Sequence, residues 1–362
     1  MTPPDKALAR RIRRHVTGRE HELFAVVHPG FEETAAGELR ELGISSTLHL
    51  TEGGVEFSGK IDDVCRVNYL AFTITRLLMR LTAFRAEHFA RLHAKLAEFP
   101  WELYLAGGAS LECSITCRHS RLFHTGRIEQ ELRSAIAERI APYGLRVAKK
   151  EEGGPTVAFQ VFVRFHDDVC AVSLDSSGEP LYRRGYKTHV VDAPLRETLA
   201  ACILRAARID SCDTLIDPMC GSGSFSLEAA LMRAGRPAGE ARAFSFQAWP
   251  SFRPAAFNYM RKHAASAGAF DKPLSIVCGD IDERAVSAAS ENAGHAGLMG
   301  IVAPSRMDFF AYVPDAPPSA DTLLVLNPPY GGRMGKRADS VPFYREIGDK
   351  VRRDYAGARF AI

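Results

Sequence analysis

Thr214-Leu-Ile216 is a short apolar run that passes through Asp217-Pro-Met-Cys-Gly221-Ser-Gly223 into a helical pattern over Phe225–Arg233. A strand that breaks at a glycine turn and restarts as a helix is one βα unit, and such a unit cannot bury its apolar surface alone. Ser275–Cys278 and Thr322–Leu326 are further short runs of the same buried type, with helical stretches between them and a helix over Arg196–Arg208 ahead of them. Strands alternating with helices predict a parallel, doubly wound α/β sheet covered on both faces. In such a sheet ligands bind at the carboxyl ends of the strands.

The glycine turn is the first place to look for one. Glycines let the chain turn tightly and let a ligand approach the backbone, and the first turn of the helix offers unpaired N–H groups. Ser226 stands where a third glycine of a dinucleotide fingerprint would be, which disfavours a pyrophosphate. Asp217 adds a carboxylate, which suits an ammonium and repels a phosphate. The next strand ends in Gly279-Asp280-Ile281-Asp282. Asp280 is placed to accept from both hydroxyls of a ribose, whereas Asp282 reads as the N-cap of a helix running to about His295. Asp308 follows the next strand and is a candidate for an adenine amine. The distance from Gly223 to Asp280 requires an insertion over roughly 235–272.

Leu323-Leu-Val-Leu326 runs into Asn327-Pro328-Pro329-Tyr330-Gly-Gly. No central strand continues through two prolines, so the chain leaves the sheet here, at the ligand edge. The Asn327 amide oxygen and the Pro328 carbonyl can together accept both hydrogens of an amine. An exocyclic base amine is a poor nucleophile because its lone pair is delocalised into the ring. Two acceptors draw it towards a tetrahedral nitrogen aimed at a methyl donor, so that positioning supplies most of the catalysis. Tyr330 is a stacking surface for a base turned out of its RNA context.

Residues 21–185 have a different style. A strand over Leu23–Val27 precedes a helix over Glu32–Leu42, a strand pair within Leu48–Phe57 around Gly53-Gly54, and a helix over Asp62–Leu70. A second stretch gives a strand over Ala109–Arg118, a helix over Arg127–Ile140, and strands over Thr156–Phe165 and Val169–Asp175 about a turn at Asp167-Asp168. This order is an α+β pattern, and the boundary with the α/β part falls near residue 190. Residues 1–20, with Arg10, Arg11, Arg13 and Arg14, read as a basic flexible arm.

Composition narrows the class. Of 362 residues, 46% are apolar and 25% charged, the balance of a globular protein. No apolar stretch is long enough to cross a membrane and no secretory leader is evident, which points to the cytoplasm. The eight cysteines include no pair of Cys-x-x-Cys motifs, so free thiols are expected in place of a metal site. Net charge is +3, which permits a nucleic-acid partner without arguing for one.

Asp217-Pro-Met-Cys-Gly-Ser-Gly, Asp280, Asp308 and Asn327-Pro-Pro-Tyr, in this order, resemble motifs I to IV of class I methyltransferases that act on amino groups. Leu181-Tyr-Arg-Arg-Gly-Tyr186 with Ala193–Ala200 resembles the motif X of one subgroup. Phe24–Leu42 is similar to the start of that subgroup's proteins, and Ser114–Ile136, with Arg118, His119, Arg121, His124 and Thr125, looks like a THUMP core. The resemblance covers roughly residues 21–362. It implies a ferredoxin-like plus THUMP RNA-binding region followed by a Rossmann-like domain over 190–362. The implied activity is S-adenosylmethionine-dependent formation of N2-methylguanosine, in 23S rRNA first and tRNA second. Carried over, Asp217, Pro218, Gly221, Gly223, Asp280 and Asp308, with Pro194 and Thr198, would contact the methyl donor. Asn327, Pro328, Pro329 and Tyr330 would hold the guanine. Arg118, Arg121, Lys149 and Lys150 are candidates for phosphate contacts. Such proteins continue beyond the strand that begins at Phe360, so the chain is expected either to be truncated there or to be a naturally short member. Rival readings are methylation of a protein glutamine or of DNA adenine, and an RNA-binding assembly factor whose catalytic domain is inactive.

Overall fold

The computed structural model describes residues 6–108, 110–146, 158–189, 194–264, 274–328 and 340–362. It divides into two compact units, one of Met1–Leu181 with Ala243–Arg261, the other of Tyr182–Arg242 with Lys262–Ile362. The middle of the expected insertion, Ala243–Arg261, therefore contributes to the first unit, although it lies within the sequence of the second.

The first unit is built on one seven-stranded sheet in the order β2-β3-β1-β4-β7-β6-β5. Its strands are β1 (His21–Val26), β2 (His49–Thr51), β3 (Gly54–Gly59), β4 (Arg76–Arg85), β5 (Ser110–Arg118), β6 (Ala158–His166) and β7 (Val169–Asp175). The two α+β stretches of the sequence thus share a single sheet, joined where β4 pairs antiparallel with both β1 and β7. β6 and β7 close a hairpin on Asp167 and Asp168 at φ +50° and +62°. That is the twist a two-residue turn needs, and Asp tolerates it. β5 and β6 are parallel, which demands a crossover, supplied by helix α5 (Thr125–Ile140). The other helices are α1 (Lys6–Ile12), α2 (Glu32–Glu41), α3 (Ile61–Leu70) and α4 (Phe89–Glu98). Two elements, β4 and α4, are absent from the sequence reading; α4 has a helical stripe in Phe89, Leu92 and Leu96, whereas β4 lacks a clean period. Leu77, Leu78 and Met79 are buried in succession, so β4 does not alternate.

The arm expected at residues 1–20 is folded from residue 6. Helix α1 continues into one π-helical turn, Arg13–Thr17, because Ile12 and Val16, four apart, are buried. Arg11 donates to Glu102 at 2.8 Å and to the Tyr143 hydroxyl at 3.0 Å. Glu102 is fully buried and also accepts two hydrogen bonds from Arg139, so one Arg of the arm is held by structure and is not a free charge. Ala243–Arg261 docks its aromatics on the same unit: Phe257, on helix α8 (Pro254–Ala264), meets Tyr69 edge-on at 5.7 Å and Phe246 at 5.3 Å.

The second unit has a five-stranded sheet in the order β10-β9-β8-β11-β12, formed by β8 (Thr214–Asp217), β9 (Ser275–Asp280), β10 (Ser305–Arg306), β11 (Thr322–Val325) and β12 (Arg359–Ala361). All of its pairs are parallel. Leu215, Ile216 and Leu323 to Leu326 are at most 2% exposed, as a sheet covered on both faces requires. Helices α6 (Glu197–Ala206), α7 (Ser224–Arg233), α9 (Glu283–His295) and α10 (Ser340–Asp354) complete it. Strand order reverses between β8 and β11, and the crevice of a doubly wound sheet opens at that switch point.

Candidate functional site

The turn after β8 is held in shape by the strand beside it. Gly221 and Gly223 adopt φ of +55° and +85°, which glycine reaches without strain. The Cys220 N–H donates to the Gly279 carbonyl at 2.9 Å, and the Gly221 N–H donates to Asp280 Oδ2 at 2.9 Å. Asp280 Oδ1 accepts from the Asp282 N–H at 3.0 Å. Asp280 is therefore fixed by two backbone donors, and each oxygen keeps a second lone pair for a ligand hydroxyl. Asp282 accepts from the Arg284 N–H at 2.9 Å and caps α9, as the sequence predicts.

Asp217 lies behind the turn, fully buried. Its Oδ2 accepts from the Ser226 hydroxyl at 2.8 Å, while its Oδ1 has no partner among the described residues. Burial is the main force on this carboxyl, assisted by the nearby Asp280 charge, and lifts its pKa to about 7 against the two Ser226 hydrogen bonds. An unpaired carboxylate oxygen out of reach of water is costly and fits a cationic partner.

A cavity of about 810 Å³ opens at the carboxyl ends of the strands. It is walled by the glycine turn, the end of β9, the Met307–Phe310 segment and the end of β11. Of the sequence-predicted residues it brings together Pro194, Pro218, Gly221, Asp280, Asp308 and Asn327. Asp217, Gly223 and Thr198 are buried and do not line it. Pro328 is buried beside Asn327, while Pro329, Tyr330, Lys149 and Lys150 lie outside the described residues. Asp308 accepts from the Phe310 N–H at 2.9 Å, which turns the chain so that Phe309 and Phe310 reach the cavity. Phe225 and Phe343 add further apolar wall. The combination of planar apolar faces, carboxylates at Asp280 and Asp308, and the Asn327 amide suits a flat heterocycle carrying a ribose and an amine. Among the described residues no cluster of His, Cys, Asp and Glu is arranged to hold a metal ion, and no helix is long and apolar enough to cross a membrane.

Arg118 and Arg121 belong to the first unit and are exposed. They stand where β5 ends, beside a loop that Asp168 fixes by accepting from the Arg121 N–H at 2.7 Å. The Arg121 guanidinium pairs with Glu87, so its charge is partly neutralised.

Two further features support the cavity, and periodicity alone does not reveal them. Asn292 is fully buried. Its amide donates to the His189 and Ser222 carbonyls at 2.8 and 3.1 Å and accepts from the Thr188 and His189 N–H groups at 3.1 and 3.2 Å. It ties the chain before α6 to the glycine turn. The Arg184-Gly-Tyr186 motif is a buried latch: Arg184 and the Tyr186 hydroxyl both donate to Glu228, at 3.0 and 2.6 Å, with all three residues at most 4% exposed. A lone glutamate inside the apolar helix α7 was the available signal.

Comparison with known proteins agrees with this architecture. Residues 184–362 match a family described as UPF0020, RMKL-like, methyltransferase domain, and residues 22–78 match an RlmL ferredoxin-like domain. A provisionally named RNA methyltransferase of Synechocystis sp. is 31% identical over 336 residues, which is 92% of this chain and 86% of that protein. The ribosomal RNA large subunit methyltransferase K/L of Methylococcus capsulatus is 33% identical over 94% of this chain but only 46% of its own length. The chain thus spans about half of the K/L relatives. A crystal structure of SMU.472, a provisionally named methyltransferase complexed with SAH, superposes with a TM-score of 0.80 at 27% identity, covering 93% of this chain and 87% of that one.

Proposed function

Because the chain belongs to the RMKL-like methyltransferase family, we propose that it transfers a methyl group from S-adenosylmethionine to the exocyclic N2 of a guanine in RNA, with 23S rRNA as the first substrate to test. The observation that carries this reading is that Asn327, Asp280 and the glycine turn line one cavity at the switch point of the sheet. The K/L relatives are named for ribosomal RNA, which supports the choice of substrate. Such a substrate places the protein in the cytoplasm.

When bound, the donor supplies a sulfonium-activated methyl group. Asp280 would accept from its ribose hydroxyls, Asp308 would hold the adenine edge, and Pro194, Pro218 and Gly221 would line its path. Gly223, at positive φ, lets the turn form, Thr198 would contact the donor by sequence, and the unpaired Oδ1 of Asp217 fits the ammonium of the methionine moiety. Asn327 Oδ1 and the Pro328 carbonyl would accept the two hydrogens of the guanine amine and turn its lone pair towards the methyl group. Once the C–N bond forms, the nitrogen sheds one proton along those hydrogen bonds. No strong base is required, because the sulfonium is a good leaving group. By sequence, Pro329 and Tyr330 complete the base site, and Arg118, Arg121, Lys149 and Lys150 contribute phosphate contacts.

The test is transfer of labelled methyl to total RNA from a strain lacking this protein, followed by digestion to nucleosides. Label in N2-methylguanosine is expected. Asn327→Ala should lose about 10²- to 10³-fold in kcat while still binding S-adenosylhomocysteine, the scale of removing one positioned acceptor. Label confined to tRNA would change the substrate, and label in protein or DNA would refute the reading.

A further inference from the structure

Lys187 has a position that neither the fold nor the proposed chemistry explains by itself. It is the residue after the Arg184-Gly-Tyr186 latch, and its side chain is only 6% exposed. Its ammonium donates to the Leu195 carbonyl at 2.8 Å and to the Ser224 hydroxyl at 2.8 Å, and it lies 3.5 Å from Glu197 Oε1, itself 6% exposed. The Ser224 hydroxyl in turn donates to the same Leu195 carbonyl at 2.9 Å. One buried cation therefore joins three places: the chain entering α6, the first residue of α6 and the first residue of α7. Leu195 and Ser224 both line the cavity.

A lysine buried without function is expensive, because both charges of the pair lose their hydration. A hydrophobic pair of similar volume would hold two helices together as well. What an ammonium adds is direction. Its donors fix a carbonyl and a hydroxyl at set positions, whereas apolar packing leaves them free to slide. Asn292 fixes Thr188 and His189 against the same glycine turn, so Lys187 completes a second tie on the same side of the cavity.

We propose that Lys187 is a positioning residue for donor binding: by anchoring the Leu195–Ser224 pair to the segment that follows the latch it sets the wall of the cavity next to the glycine turn. The inference rests on the reading of this cavity as the donor site. It assigns Lys187 no contact with the RNA and no part in the proton's departure.

The experiment uses the full chain and S-adenosylhomocysteine as the probe, measured by calorimetry, together with steady-state kinetics and thermal melting. Lys187→Met removes the hydrogen bonds and takes the ammonium away from Glu197. The double variant Lys187→Met with Glu197→Gln removes the hydrogen bonds without stranding a charge. Both are expected to weaken S-adenosylhomocysteine about tenfold or more and to raise KM for the donor equally, the scale of losing charge-assisted hydrogen bonds. With donor saturating, kcat should stay within about threefold of the parent, the signature of lost uniform binding. A folded double variant that binds the probe within about twofold of the parent would overturn the proposal. So would a fall in kcat at unchanged KM, or failure of both variants to fold, since Lys187 would then serve chemistry or stability instead. If the parent protein itself does not bind the probe, the donor-site reading fails first, and that failure is distinguishable from this one.

Discussion

Asp217→Asn should stabilise the protein at alkaline pH while removing a carboxylate from the donor site. The native carboxyl titrates at about 7 against an ordinary 3.8. At 1.36 kcal/mol per pH unit, its ionised form costs the folded state about 4 kcal/mol. Below pH 4 the group is protonated whether the chain is folded or not, and contributes nothing. Between about pH 4 and 7 the unfolded chain has released the proton and the folded chain retains it, so stability falls as pH rises and then levels off. Asn carries no such titration, although its amide N–H beside the former Oδ1 lacks a partner and takes back about 1–3 kcal/mol. Every other titrating group cancels in the difference between parent and variant. That difference should grow by about 3 kcal/mol in favour of Asn between pH 5 and pH 8, which corresponds to about 6–12 °C in relative Tm. Melts of both proteins at the two pH values read it directly. A difference independent of pH would refute the buried, raised carboxyl. The same titration bears on ligand binding. If an ammonium faces the ionised form, affinity for S-adenosylhomocysteine should improve up to about tenfold from pH 6 to 8, in proportion to the ionised fraction, and the Asn variant should lose this dependence.

Asp280→Asn should weaken S-adenosylhomocysteine by about 10- to 100-fold, because it loses a charged acceptor for ligand hydroxyls and the 2.9 Å tie to Gly221; an unchanged Kd in calorimetry would remove Asp280 from the site. Phe257→Ala, on α8, should cost about 3–5 kcal/mol. Hydrogen exchange should show that loss in β1 to β7, not in β8 to β12, since the ring packs on Tyr69, Phe244 and Phe246; the reverse pattern would contradict its place in the first unit.

The parallel sheet was legible because its strands are buried on both faces and are short uniform apolar runs, bounded by Asp217-Pro218 and Asn327-Pro328. The first unit was half legible. β1, β3, β5, β6 and β7 alternate or sit beside glycine turns. β4 does neither, because it is buried in the middle of a sheet, and without β4 the two halves look like separate modules. The terminal helix was hidden by its own composition: four arginines within five residues outweigh Ile12 and Val16, although those two side chains decide the structure. At the site, sequence order pointed to residues at strand ends. Asp280 and Asn327 line the cavity because strand ends converge there. The supports Asn292, Glu228 and Lys187 are not legible in the same way. Their partners lie from 8 to more than 100 residues away, and only the fold brings those partners to them.

The return of Ala243–Arg261 to the first unit has a consequence for synthesis. Chains normally acquire their domains in order as they emerge, the first being complete before the second is made. Here the last strand of the first sheet ends at Asp175, but the aromatic cluster that closes the unit arrives with Phe244, Phe246 and Phe257. Translation at about 5–20 residues per second separates the two events by about 4–16 s. Throughout that interval the nascent first unit lacks its aromatic cluster, and the glycine turn that the cavity depends on is made before the cluster is complete. The first unit, although it begins the chain, thus waits for a segment made in the midst of the second.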